Sequence, residues 1–181
     1  MYQPIDVASS YKQNDIGHTL YNTIVKYKPK NIIDFGILNG YSTIAMAQAV
    51  RDIKVGHIFG LDLFEKYPYN KSTFSNTLSN LHKYNIAEYV TLSYCDFTEW
   101  IEKSDQDFDL LHLDISNDGD ILERIYNKYI GTSKIILFEG GSLERDEVDW
   151  MVKYNRKKIS TANISYSIID NKFPSLSQLI L

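Results

Sequence analysis

Five times in succession the chain places a short apolar run ahead of an amphipathic stretch, and each of those runs ends within two residues of a carboxylate. The runs cover residues 31–35, 55–62, 89–94, 109–114 and 134–139. They are brief, rich in Ile, Leu, Val and Phe, and mostly lack the polar alternation of a half-exposed strand, which reads as strands buried on both faces. The stretches between them, 41–51, 71–84, 98–103, 119–129 and 145–153, repeat apolar residues at helical spacing. Parallel strands cannot be joined by tight turns, so this alternation predicts a mostly parallel sheet with helices on both faces. A further helix over 16–28 precedes the first strand and stops at Pro29. The tail breaks the pattern. Residues 164–169 and 178–181 are two β runs with Pro174 between them and no helix, which predicts an antiparallel hairpin at one edge of a seven-stranded α/β sheet.

With 181 residues, no internal repeat and no Pro/Gly/Ser linker, the expected organisation is an N-terminal arm over 1–15 and one domain over 16–181. No apolar run reaches the roughly 18–20 residues of a transmembrane helix, and the first fifteen residues have neither the positive start nor the apolar core of a secretory leader. A single cysteine excludes a disulfide framework and a multi-cysteine zinc site, pointing to a reducing, cytoplasmic setting. Net charge of −4 opposes a broad nucleic-acid surface. The expected partner is a small molecule, with neither membrane nor nucleic acid involved.

In an open parallel sheet, ligands bind off the carboxyl ends of the strands. Asp34, Asp62, Asp96, Asp114 and Glu139 fall there. Any one of these aspartates can serve as the N-cap of the following helix, but five together beside a glycine-bracketed loop form a constellation. Gly36 and Gly40 bracket the first strand-to-helix turn, where backbone amides face outward and a ligand can approach closely. A pyrophosphate loop requires a middle glycine, and Leu38 stands in its place; a nucleoside-triphosphate loop requires Gly-Lys-Ser/Thr, and the chain has Gly40-Tyr-Ser-Thr. A nucleoside-like ligand without a phosphate fits what remains.

The segment Ile32-Ile-Asp-Phe-Gly-Ile-Leu-Asn-Gly-Tyr-Ser-Thr43 resembles the first motif of class I S-adenosylmethionine-dependent methyltransferases. Within them it is most similar to the branch of catechol-type O-methyltransferases and cephalosporin-hydroxylase-like proteins. The resemblance spans about residues 16–140 and implies a Rossmann-like sheet, with the terminal hairpin as its two closing strands. It implies methyl transfer to an oxygen, less readily a nitrogen, of a small polar acceptor. Asp34, Gly36, Gly40, Tyr41 and Ser42 would shape the cofactor loop. Asp62 would take the two ribose hydroxyls, and Asp96 with Phe97 the adenine. Asp114 would lie beside the reacting methyl group as the catalytic residue. The catechol-type branch also holds a divalent cation, for which this chain offers Asp114 and Glu139 but has Gly140 and Gly141 where a third ligand is expected. Two carboxylates and water can hold magnesium. The alternative is a relative that binds a nucleoside or sugar nucleotide without methylating.

Other candidates are weaker. His57 and His112 fall within strands and read as structural; alternation places His112 on the face opposite Leu111 and Leu113. The Gly140-Gly141 pair reads either as a loop approaching substrate or as a sharp bend before Ser142 caps a helix. Arg156-Lys-Lys158 reads as a solvated helix terminus, with phosphate or sugar binding as the alternative. By position, the acceptor pocket is expected from residues 11–15, 116–120 and 140–145, and a neighbouring subunit of a homo-oligomer can complete it.

Overall fold

Apart from Asn117, the computed structural model describes residues 1–116 and 118–181. The five apolar runs form β1 (Asn31–Phe35), β2 (His57–Asp62), β3 (Val90–Tyr94), β4 (Leu110–Leu113) and β5 (Ile135–Glu139). The tail forms β6 (Ser167–Asp170) and β7 (Leu176–Ile180). The helices are α1 (Ile16–Tyr27), α2 (Tyr41–Ile53), α3 (Phe74–Lys83), α4 (Phe97–Lys103), α5 (Gly119–Tyr129), α6 (Leu143–Asp146) and α7 (Asp149–Lys153). No helix among the described residues is long and apolar enough to cross a membrane.

The strands make one seven-stranded sheet in the order β3-β2-β1-β4-β5-β7-β6. Strands β1 to β5 pair in parallel, and β7 enters antiparallel between β5 and β6, giving the expected edge hairpin. From β1 the chain winds outward through β2 and β3, then crosses back to β4 and β5 on the other side. The reversal lies between β1 and β4, where connections leave in opposite directions and a crevice opens.

Strand alternation sorts the core into two layers. Ile32, Ile58, Leu110 and Leu137 pack beneath α1 and α2 through Leu20, Ile24, Ile44 and Ala45. Ile33, Phe35, Leu111, Leu113 and Phe138 face α4 and α5 through Phe97, Trp100, Leu122 and Ile125. The first fifteen residues join the first layer, where Ile5, Val7 and Tyr11 are buried.

Two expectations shift. The helix over 145–153 is two short ones, because Val148 takes extended backbone (φ −64°, ψ 145°) between α6 and α7. Met151 turns inward, whereas Val148 serves as the turn between helices. Helix α3 begins only at Phe74, where Thr73 caps the Asn76 amide at 3.1 Å. Its buried positions are Thr77 and Leu81, and Leu78 is exposed.

One polar residue is set into the centre of this sheet. Asp34 shares its face of β1 with Ile32, is fully buried, and lies directly opposite His112 of β4. Its carboxyl group accepts from Ser42 Oγ at 3.0 Å, Thr43 Oγ1 at 2.5 Å and His112 Nδ1 at 2.7 Å. An acid buried between two strands is tolerable only when its oxygens are saturated in this way. Asp34→Ala strands three buried donors, and chemical denaturation should show a loss of roughly 3–5 kcal/mol, the range for breaking a buried charged network; a loss under about 1 kcal/mol would contradict this account.

Candidate functional site

A cleft of about 950 Å³ opens at the carboxyl ends of the strands, over the reversal between β1 and β4. Gly36 forms its floor with φ +87°, and a Cβ there would overlap the carbonyl oxygen of Asp114, so β1 and β4 exit in backbone contact. Beyond it, Leu38 sits at φ +53°, a left-handed conformation costing a non-glycine residue about 1–2 kcal/mol. The loop is held there from both sides. Asp62 Oδ2 accepts the amides of Ile37 (2.6 Å) and Leu38 (3.1 Å). The Leu38 carbonyl accepts the hydroxyls of Ser72 (2.5 Å) and Thr77 (2.8 Å). Leu38 therefore adopts the conformation that a middle glycine would supply, and its side chain, 42% exposed, lines the cleft.

The residues singled out in the sequence divide into two groups. Gly36, Asp62, Asp96, Phe97 and Asp114 all line this cleft. Asp34, Tyr41 and Ser42 do not lie on its wall. Ser42 turns inward to Asp34, and the Tyr41 hydroxyl reaches Asp15 at 3.3 Å, so both shape the start of α2 from behind. Gly40, with φ +92°, is the residue ahead of α2 and gives the chain its turn into the helix. Asp62 has a third backbone donor, Phe64 N at 2.6 Å on Oδ1. A carboxylate offers about four acceptor positions, which leaves Asp62 room for one further donor where two ribose hydroxyls were expected. Asp96 caps α4 through Oδ1, accepting from Thr98 N (2.8 Å) and Glu99 N (3.2 Å), and no described donor occupies Oδ2. Phe97 meets Phe35 edge-on at 5.3 Å, forming an aromatic wall.

At the inner end of the cleft, acidic groups converge. Asp114 is partly accessible and hydrogen-bonded to Glu139 and to the Tyr11 hydroxyl. Desolvation pushes its carboxyl well above the usual range; the Glu139 and Asp34 carboxyls add to the shift and the Arg145 guanidinium opposes it. Tyr11 is buried, and its hydroxyl also lies 3.2 Å from His112 Nε2, which completes a path Asp34–His112–Tyr11–Asp114–Glu139. Burial and the same carboxyls hold the Tyr11 hydroxyl far above its ordinary pKa. His112 is thus a satisfied histidine in the interior, on the face away from Leu111 and Leu113.

The expected cation ligands are less open than the sequence suggested. Glu139 Oε1 is hydrogen-bonded and ion-paired to Nε of Arg145, itself only 5% exposed. Gly140 and Gly141 provide no side-chain donor, and among the described residues no group of three or more His, Cys, Asp or Glu is placed to hold a metal. With a guanidinium already on one of its two carboxylates, this donor set does not fit a divalent cation.

Sequence reasoning passed over the outer wall. Trp150, Tyr154 and Arg156 come from α7 and the turn after it, with Ser10 from the N-terminal segment and Tyr67, Tyr69 and Asn70 from the connection after β2. Arg156 is half-exposed and reaches Asp118 at 3.5 Å, while Lys157 and Lys158 pair with Glu123 and Glu147, so only the first residue of that basic run faces the cleft. Of the expected acceptor segments, Ser116 lines the cleft and Asn117 lies outside the described residues. The glycine pair bends sharply instead: Gly140 and Gly141 (φ +111° and +92°) pack on the hairpin, where their carbonyls accept Ser177 Oγ and Tyr166 OH. Ser142 caps α6 through the Arg145 amide at 3.2 Å. Trp150 and Tyr154, one helical turn apart, were the only hint in the sequence, and Arg156 lies beyond the end of that short helix.

Comparison with known proteins agrees with this geometry. A family model described as a methyltransferase domain matches residues 33–141, from β1 through the loop after β5. No curated protein sequence matches the chain. Among solved structures, the SAH-bound methyltransferase PaMTH1 of Podospora anserina is similar at 20% identity and TM-score 0.64, over 94% of this chain and 78% of that one. The O-methyltransferase TomG of Streptomyces achromogenes, involved in tomaymycin synthesis and solved with SAM, is similar at 16% identity and TM-score 0.61, over 97% and 82%. An O-methyltransferase of Bacillus cereus, solved with SAH, gives 15% identity and TM-score 0.62 over 97% and 83%. At these identities the likeness is one of fold.

The two loop glycines should differ on substitution. Gly36→Ala drives a Cβ into backbone that cannot move without parting β1 from β4, whereas at Gly40 the nearest atom is the Thr77 methyl at 3.3 Å. Gly40→Ala should cost about 1–2 kcal/mol, the left-handed penalty alone, and Gly36→Ala at least about twice that. Thermal unfolding of the pair checks the order; equal losses would refute the backbone contact.

Proposed function

We propose that this chain, which belongs to the methyltransferase-domain family, transfers a methyl group from S-adenosylmethionine to an oxygen of a small polar acceptor. The observation that carries this reading is the loop from Gly36 to Gly40, pinned by Asp62 above a carboxylate-rimmed cleft at the strand-order reversal. Such a cleft suits a nucleoside that carries a positive sulfonium and no phosphate.

In this reading the half of the cleft under β1, β2 and β3 holds the cofactor. The loop around Gly36 and Leu38 borders its methionine portion, with Asp34, Gly40, Tyr41 and Ser42 fixing that loop from behind. Asp62, with one acceptor position left, takes a ribose hydroxyl; Asp96, through its second oxygen, takes the adenine amino group while Phe97 covers a ring face. When bound, the cofactor supplies an electrophilic methyl group on sulfur. The acceptor enters from the side of Ser10, Trp150, Tyr154 and Arg156. A ring stacks on the indole of Trp150, and Arg156 suits a polar or anionic substituent.

Asp114 stands between these halves. Once ionised by loss of its own proton to solvent as the positively charged cofactor enters, Asp114 would be placed to accept the proton of the acceptor hydroxyl. Its raised affinity for a proton makes it a stronger base than an ordinary aspartate, while positive charge brought into the cleft favours its ionised form. The remaining barrier reduction comes from holding the two reactants in line, which can supply about 7–11 kcal/mol.

Calorimetric titration with S-adenosylhomocysteine tests the cofactor half; absence of binding at millimolar ligand together with an unchanged melting temperature would sink the reading. Binding without transfer to catechols, sugars or hydroxylated polyketides would select the non-methylating relative instead. Asp114→Asn should lower kcat about 10²–10⁴-fold, the usual contribution of a general base, and change S-adenosylhomocysteine affinity by less than about threefold. Equal losses in both would remove Asp114 from the chemical step.

A further inference from the structure

We infer that Arg145 occupies the place of a divalent cation in this cleft, so that any transfer here proceeds without a metal ion. The catalytic half of the statement rests on the methyl-transfer reading, while the metal-binding half stands apart from it.

The substitution can be followed atom by atom. The ends of β4 and β5 bring Asp114 and Glu139 into hydrogen-bond contact, the start of an oxygen site for a hard cation. The charge facing that pair is already present, however. Arg145 directs Nε onto Glu139 Oε1 from inside the protein, where both groups are buried. The guanidinium is fixed on its other side by the Trp150 ring, 5.3 Å from its central carbon to the ring centroid. Its backbone is fixed by the Ser142 cap at the start of α6.

Gly140 links the two arrangements. A Cβ at this position would lie 2.9 Å from Ile159 Cδ1 and 3.4 Å from Arg145 Cγ. A third ligating side chain there would press on Ile159, would lie against the stem of the arginine, and would meet a left-handed backbone (φ +111°) that suits glycine. The glycine that removes a ligand is therefore also packed directly against the side chain that brings in the internal cation. A metal ion added beside Glu139 would meet a guanidinium within a few ångströms, in surroundings that screen charge poorly. Both could not be held by two carboxyl groups. The Nη1 of Arg145 is buried with no hydrogen-bond partner among the described residues, so the guanidinium retains donor capacity after pairing with Glu139. Arg145 acts through Glu139 and is a positioning residue.

The test uses the full chain stripped with EDTA, titrated with Mn²⁺ and read by electron paramagnetic resonance of the free ion, with and without S-adenosylhomocysteine. Wild type should show no saturable site at millimolar Mn²⁺. Arg145→Met leaves Asp114 and Glu139 facing each other without a cation and should bind Mn²⁺ at least about tenfold more tightly than wild type; Arg145→Lys, which keeps the charge, should not. Saturable binding by wild type, or Arg145→Met binding no better than Arg145→Lys, overturns the inference. The wild-type titration decides even where a variant fails to fold. Once an acceptor is in hand, EDTA should leave the transfer rate unchanged, and EDTA-sensitive transfer would likewise overturn it. A protein that binds neither Mn²⁺ nor S-adenosylhomocysteine would refute the cofactor reading and leave the metal-binding half standing.

Discussion

A buried acid at the centre of the sheet governs the geometry of everything above it. Asp34 sits where an aliphatic residue would pack without penalty, and it needs three donors to be tolerated there. Those donors come from two places that the sheet alone would not join: the first turn of α2 and the middle of β4. Satisfying the acid sets the angle at which α2 leaves β1, and so the course of the loop between Gly36 and Gly40. It also fixes the ring of His112, whose far nitrogen meets Tyr11. Hydrophobic burial holds the layers together, while this one polar contact selects among the ways they could be stacked.

The carboxylates at the strand ends accordingly do different work. Asp34, Asp62 and Asp96 all spend acceptor capacity on the protein itself: hydroxyls and an imidazole for the first, loop amides for the second, helix amides for the third. What remains of Asp62 and Asp96 faces the cleft. Asp114 and Glu139 stand against one another at its inner end. The strain of Leu38 belongs to the same design. A leucine in the left-handed region persists because Asp62 grips one side of its peptide and Ser72 and Thr77 the other, giving a loop that is rigid without being rich in glycine.

Much of this was legible in the order of residues. Short β-branched runs between helical stretches dictated the sheet, and the helix-free tail dictated the edge hairpin, because both follow from local periodicity. The loop glycines and the carboxyl-end acids could be read for the same reason. What each acid does could not, since that depends on which amides a fold brings near it: capping and ligand contact are alternatives for a lone aspartate, yet Asp96 has an oxygen for each. Trp150, Tyr154 and Arg156 were hidden because α6 and α7 are too short to have a register of their own, and the break at Val148 is set by tertiary packing. Tyr11 was one tyrosine among 14 until the N-terminal segment placed it against His112.

The polar path from Asp34 to Arg145 ties these observations to chemistry. Its two ends differ in kind: at one end an acid is saturated by neutral or titratable donors, at the other Glu139 is matched by a permanent cation. Between them Asp114 and Tyr11 are the groups whose proton affinity rises most, because burial and neighbouring carboxyls act on them together. A proton in this network is therefore held near Asp114, the one member of the path that lines the cleft. The fixed positive charge sits on Glu139 rather than on Asp114, and it only partly offsets the upward push of burial and neighbouring carboxyls on Asp114. A metal ion held directly by both carboxyl groups would act in the same sense as the guanidinium but with more charge and closer to Asp114, weakening Asp114 as a base. On the proposed reading, an arginine rather than a metal ion beside Glu139 lets the acid at the end of β4 serve as a base instead of a ligand.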